Sequence, residues 1–144
     1  MGLLKDARDL IDHDVTDFEG AWDLYREMTK SGIIEYGDAE IRMLHGRMSF
    51  LLSHAEMNLG SVNSRYVAAR VASKLKKSQL LIVKYPEGAF NQRTAQVEAD
   101  DIWQKLAQVE AEAEADVEIW KGQVHATQTA VELLSREISA RLKK

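Results

Sequence analysis

The sequence predicts an all-α protein, a long antiparallel coiled-coil helical hairpin with two short N-terminal helices. Three observations lead there. In 144 residues proline occurs once, and the only strong breaks are Gly32, Gly37 and the Pro86-Glu87-Gly88 cluster. Two stretches, Asp38 to about Val83 and Asn91 to about Leu142, contain nothing that stops a helix. In both, apolar residues recur at heptad spacing.

The first helix is expected from about Leu3 to Ile11. The second opens at Thr16, where Thr16-Asp17-Phe18-Glu19 has the capping-box spacing, and closes near Ser31-Gly32. Its Phe18, Ala21, Trp22, Tyr25 and Met28 share one face, which is suited to docking on a partner surface. Ile33 to Gly37 is a short connector, so residues 1–37 form an N-terminal helical segment and 38–144 the hairpin.

Helices of 46 and 52 residues would be about 70–78 Å long at 1.5 Å per residue, lengths that imply a coiled coil. The connector near 84–91 is short, so the chain is expected to fold back on itself. One seam runs Ile41, Leu44, Met48, Leu51, Ala55, Leu59, Val62, Tyr66, Ala69. The other runs Ile102, Leu106, Val109, Ala113, Val117, Trp120, Val124, Thr127, Val131, Leu134, Ile138. Each contains one inserted step of four, at 55→59 and at 113→117, and in a hairpin these would lie opposite each other. Facing positions would then sum to about 172, setting Lys74 against Glu98 and Arg70 near Asp101.

Composition narrows the class. Apolar residues at 45% and charged residues at 29% indicate a globular or coiled-coil chain rather than a disordered one. Without cysteine there are no disulfides, thiolate zinc sites, iron–sulfur clusters or cysteine nucleophile. Met1-Gly2-Leu3-Leu4-Lys5-Asp6 meets acid before an apolar stretch forms, so no signal peptide is expected. Nothing approaches the roughly 20 apolar residues of a membrane span, and a cytoplasmic setting is expected.

Charge is segregated into blocks. Residues 1–64 carry net −6, 65–93 net +6, 94–120 net −7 and 121–144 net +3. The basic block holds Arg65, Arg70, Lys74, Lys76, Lys77, Lys84 and Arg93 against Glu87 alone, interleaved with Tyr66, Tyr85 and Phe90. Cations attract phosphates regardless of base and aromatic rings stack on unpaired bases, a combination suited to a single strand. The candidate nucleic-acid contacts are therefore Arg65, Arg70, Lys74, Lys76, Lys77, Lys84, Arg93 and Tyr85. A solvated helix face with ion pairs inside the chain is the competing reading. The acid run Glu110, Glu112, Glu114, Asp116, Glu118 has no basic residue opposite it in the expected register; it is either solvated or meets a basic surface on another copy or partner. Candidate protein contacts are Phe18, Trp22, Tyr25, Glu110, Glu114 and Glu118.

Catalytic patterns are not found. His13, His45, His54 and His125 form no H-E-x-x-H pair, and the adjacent residues of Asp12-His13-Asp14 point about 100° apart on a helix. No E-x-x-H, phosphate-loop or G-x-S-x-G pattern occurs. Asp100-Asp101 and the later glutamates lie along an expected long helix and read as solvent-facing. Neither an enzyme, a metal site nor a cofactor is expected.

The hairpin segment, from about Leu44 to Leu142, resembles the UvsY-like recombination mediators of tailed bacteriophages. The likeness is carried by Tyr66-Val67-Ala68-Ala69-Arg70 followed by Lys74, by Val97-Glu98-Ala99-Asp100, and by Trp120 with Leu133-Leu134-Ser135-Arg136-Glu137-Ile138. It implies a ring-forming, non-enzymatic accessory that binds single-stranded DNA and helps load a recombinase onto strands covered by single-strand-binding protein. Carried over by position, it points to Arg70 and Lys74, with Lys76 and Lys77 as neighbours. The acidic N-terminal portion departs from that pattern; it would hold a protein partner or mask the basic tip. The alternative expectation is a protein–protein module, either a structural adaptor or an inhibitor of a host nucleic-acid enzyme.

Overall fold

The computed structural model describes residues 18–143. Among them every regular element is helical and no strand occurs. Helix α1 spans Phe18–Ser31, a 3-10 turn Ile33–Glu35, α2 Asp38–Val83, α3 Phe90–Glu98 and α4 Asp101–Leu142. The expected helix at Leu3–Ile11 and the capping residue Thr16 lie outside the described residues. Among the described residues no helix is long and apolar enough to cross a membrane.

The chain divides into two compact units, one built from described residues 18–57 and 122–143, the other from Asn58–Lys121. In each unit a portion of α2 packs with a portion of α4.

In the first unit the core is Ala21, Met28, Ile41, Leu44, Met48, Leu51, Ala130 and Leu134, with Trp22, Leu24, Tyr25, Ile33, Tyr36, Val131 and Ile138 packed around it. Burying each large aliphatic side chain contributes about 1.5–3 kcal/mol. Helix α1 belongs to this core: Ala21 and Met28 are buried, and Trp22 meets Tyr25 edge to face at 5.7 Å. It ends at Gly32, whose φ of 102° is open to glycine and strained for other residues; the Gly32 N–H donates to Met28 O at 3.0 Å. Arg141 near the end of α4 ties the unit together. It donates to Asp38 Oδ1 at 2.6 Å, to Glu137 Oε1 at 2.8 Å and to the Ile33 carbonyl at 3.2 Å. His45 Nε2 and Ser135 Oγ share a hydrogen bond of 2.9 Å.

In the second unit Val62, Ser73, Leu80, Val97, Asp100 and Val117 are buried. Helix α2 stops after Val83, and Gly88, at φ 105°, lets the chain turn into α3. Arg93 closes this end: its guanidinium donates to the carbonyl of Leu81 at 2.6 Å, which the last turn of α2 leaves open, and to that of Tyr85 in the turn at 2.8 Å.

Three expectations are corrected. The second long helix is not continuous from Asn91; it begins at Phe90, breaks at Ala99-Asp100 and restarts at Asp101. Asp100 is not solvent-facing but 5% exposed, and it caps the restarted helix: its Oδ1 accepts the N–H of Ile102 at 3.0 Å and that of Trp103 at 3.4 Å. The seam of α4 uses half-buried Trp103 and Glu110 in place of Ile102 and Val109, which are each 52% exposed. With Trp103, Leu106, Glu110, Ala113 and Val117 as the inner row, steps of three and four alternate and the inserted step at 113→117 disappears. Both rows lie within the one helix Asp101–Leu142, and the packing of the unit selects the second.

Candidate nucleic-acid interface

The basic block falls within the second unit, and its cations divide by what surrounds them. Lys84 Nζ lies 2.7 Å from Asp100 Oδ2, and the Tyr85 hydroxyl donates to the same oxygen at 3.0 Å. Lys84 holds the Asp100 carboxyl down to about 2; burial opposes this, while Tyr85 and the N–H groups of Ile102 and Trp103 add to it. The same contact raises Lys84 above its ordinary value. Arg93 is engaged with backbone carbonyls, as described above. Lys84, Tyr85 and Arg93, all three expected as strand contacts, thus build the turn together with Asp100.

Lys77 is intermediate. It pairs with Glu98 Oε1 at 3.4 Å and sits 5.5 Å from the centre of the Trp103 ring, a cation–π distance. This corrects the expected pairing of Glu98 with Lys74, and the register of the unit differs accordingly.

Arg70 and Lys74 are exposed and, among the described residues, make no hydrogen bond or ion pair. Arg65, exposed, makes a long contact of 3.4 Å to Ser61 Oγ, and half-buried Lys76 one of 3.4 Å to Gln79 Oε1. Arg65, Arg70, Lys74 and Lys76 are thus the members of the block that neither pair with an acid nor, like Arg93, tie down the turn. Of the aromatic members Tyr66, one turn before Arg70 on α2, and Tyr85 are half-buried, while Phe90 stands 68% exposed at the start of α3.

Of the expected protein contacts, Trp22 and Tyr25 pack on the core of the first unit, and of Phe18 only its place as first residue of α1 is described. In the acid run Glu110 is half-buried, Glu112 accepts from Gln108 Nε2 at 3.2 Å, and exposed Glu118 pairs with Lys121 at 3.3 Å. Glu114 and Asp116 are exposed and, among the described residues, have no such contact. No group of three His, Cys, Asp or Glu residues placed to hold a metal occurs among the described residues.

Sequence reasoning missed Asp100 as the hub of the turn. The signal was present, since an aspartate followed by Asp101-Ile102-Trp103 has the pattern of a helix start. The apparent continuity of the flanking helical periodicity hid it.

No family model matches the chain, and no curated protein or solved structure shows significant similarity to it.

Proposed function

We propose that the protein is a non-enzymatic accessory that self-assembles and binds single-stranded DNA through its basic block, in the manner of a phage recombination or replication factor acting in the host cytoplasm. The observation that carries this reading is the exposed pair Arg70 and Lys74, which has no acidic partner among the described residues of a segment bearing net +6. Such cations release counterions from a phosphate backbone on binding, giving a salt-dependent affinity that ignores sequence. The weak field of one copy would be multiplied by assembly, since several basic surfaces on one strand act with high effective concentration. A recombinase, a single-strand-binding protein or a host protein is the partner class that this role requires.

The reading treats the long helix pair as an antiparallel hairpin with its bend near 84–91. It is supported within one unit by the Lys77–Glu98 and Lys84–Asp100 pairs, and within the other by Asp38–Arg141 and His45–Ser135. The test is titration of a fluorescent oligothymidylate with the full chain over a range of salt concentrations. Binding that weakens steeply with salt supports the reading; no binding at low salt removes it.

Glu114 and Asp116, exposed without cation partners, favour one second reading, a module that presents acid to a basic protein. It predicts capture of a basic partner that survives nuclease treatment, with no affinity for DNA.

A further inference from the structure

Helix α2 carries a second apolar face in the Asn58–Lys121 unit. Val67, Val71, Leu75 and Ile82 are 53%, 51%, 66% and 72% exposed. At 100° per residue their spacings of 4, 4 and 7 keep them within an arc of about 80°. The buried residues Val62, Ser73 and Leu80 lie about 180° away on the same helix. One side of α2 therefore faces the core of the unit while the opposite side presents a ladder of aliphatic side chains to solvent. Gly60, Ser64 and Ser78 continue the row at steps of three and four, the spacing of a coiled-coil seam. Arg70 and Lys74 border it on one side.

Helix α4 of the same unit has a second row of its own. Ile102, Val109 and Ile119 are 52%, 52% and 60% exposed, and share an arc of about 100° with Glu112 and Asp116. Positions 102, 105, 109, 112, 116 and 119 follow alternating steps of three and four, with Lys105 the single cation among them. One unit thus displays two exposed rows of seam spacing, an aliphatic one on α2 edged by cations and one on α4 in which Ile102, Val109 and Ile119 share the row with Lys105, Glu112 and Asp116.

We infer that the Val67–Ile82 face of α2 is an assembly surface covered by a second copy of this chain, through the Ile102–Ile119 face of that copy's α4. The inference rests on the self-assembly part of the reading above and names the surface that performs it. Charge complementarity selects the occupant. Arg70 and Lys74 beside the α2 ladder match Glu112 and Asp116 within the α4 row, so a second copy and a strand compete for these two cations, and a second copy carries the matching row by construction. An anionic bilayer would suit the cation-edged ladder alone and would repel the carboxylate-bearing row.

The test uses the full chain, with mass in solution measured by sedimentation equilibrium over a wide concentration range. The wild type is expected above the 16.3 kDa of one copy. Val71→Ser with Leu75→Ser is expected to weaken association about tenfold or more while helix content and the urea midpoint stay close to wild type. Arg70→Glu with Lys74→Glu, and Glu112→Lys with Asp116→Lys, are each expected to weaken association alone and to associate with each other when mixed. A wild type at one-copy mass throughout overturns the inference, whether or not it binds anionic vesicles. So does a serine variant that assembles like wild type, or charge-reversed proteins that ignore each other on mixing. Strand binding separates the two proposals. A wild type that assembles but binds no strand leaves this surface standing and removes the strand-binding reading; a one-copy protein that binds strands removes this surface and self-assembly and leaves strand binding alone.

Discussion

The carboxylate of Asp100 joins two elements at once: one oxygen lies 2.7 Å from the Lys84 ammonium beyond the end of α2, and the other accepts the N–H of Ile102 at the start of α4. A buried acid held in this way is both a helix cap and a clasp on the turn. The two roles respond differently to substitution, which makes them separable.

Asp100→Asn keeps a side-chain oxygen for the helix N-terminus but removes the charge that Lys84 meets, whereas Asp100→Ala removes both. Both variants are expected to melt below wild type, the alanine variant by about 3–8 °C and the asparagine variant by less. Thermal unfolding followed by circular dichroism checks the order. Equal melting temperatures for wild type and the alanine variant would mean that the clasp contributes nothing.

The pH dependence follows from the same residues. The Asp100 pKa lies at about 2 in the folded chain, below its ordinary value of 3.8, so its contribution to stability is complete above pH 4 and is lost as the pH falls toward 2. Lys84 is raised, so its contribution is complete below its ordinary 10.5 and is lost as the pH climbs through the higher folded value. Urea midpoints measured from pH 5 to pH 2 should fall more steeply for wild type than for Asp100→Asn. Parallel curves would contradict the assignment.

Core packing in the first unit sets a larger effect. Leu134 is fully buried, and Leu134→Ala is expected to cost about 2–5 kcal/mol through lost contacts and a residual cavity. Met57, 77% exposed on α2, is the control, and Met57→Ala should stay within about 0.5 kcal/mol of wild type. Chemical denaturation of both variants gives the comparison.

For strand binding, replacing Arg70 and Lys74 by glutamine removes two of the cations without acidic neighbours. The slope of log affinity against log salt should become shallower by about 1.4, close to 0.7 for each single-strand phosphate contact. Lys84→Gln should leave that slope unchanged while lowering the melting temperature, because Lys84 faces Asp100. The reverse pattern would place the strand at the turn instead.

Legibility in the sequence tracked how local the deciding physics was. The limits of α2 at Asp38 and Val83 were readable because the breakers flanking them act on their own neighbourhood. The row Ile41, Leu44, Met48, Leu51, Ala55 was readable for the same reason, since a helix places those spacings on one side and all five residues are buried. The row of α4 was misread at Ile102 and Val109. Trp103 and Glu110 also fit steps of three and four, and only the packing of the unit chooses between two such rows.

By itself, then, the amino-acid order determined that the chain is helical, where α2 runs and which block is basic, because helix propensity, spacing and charge are properties of neighbours along the chain. Tertiary structure decided that Asp100 breaks and restarts a helix, that Glu98 takes Lys77 rather than Lys74, and that Lys84 and Arg93 hold the turn while Arg70 and Lys74 stay open. Those choices depend on the phase at which distant segments meet. A single-residue change in phase turns each helix by about 100° and hands every contact to a different side chain.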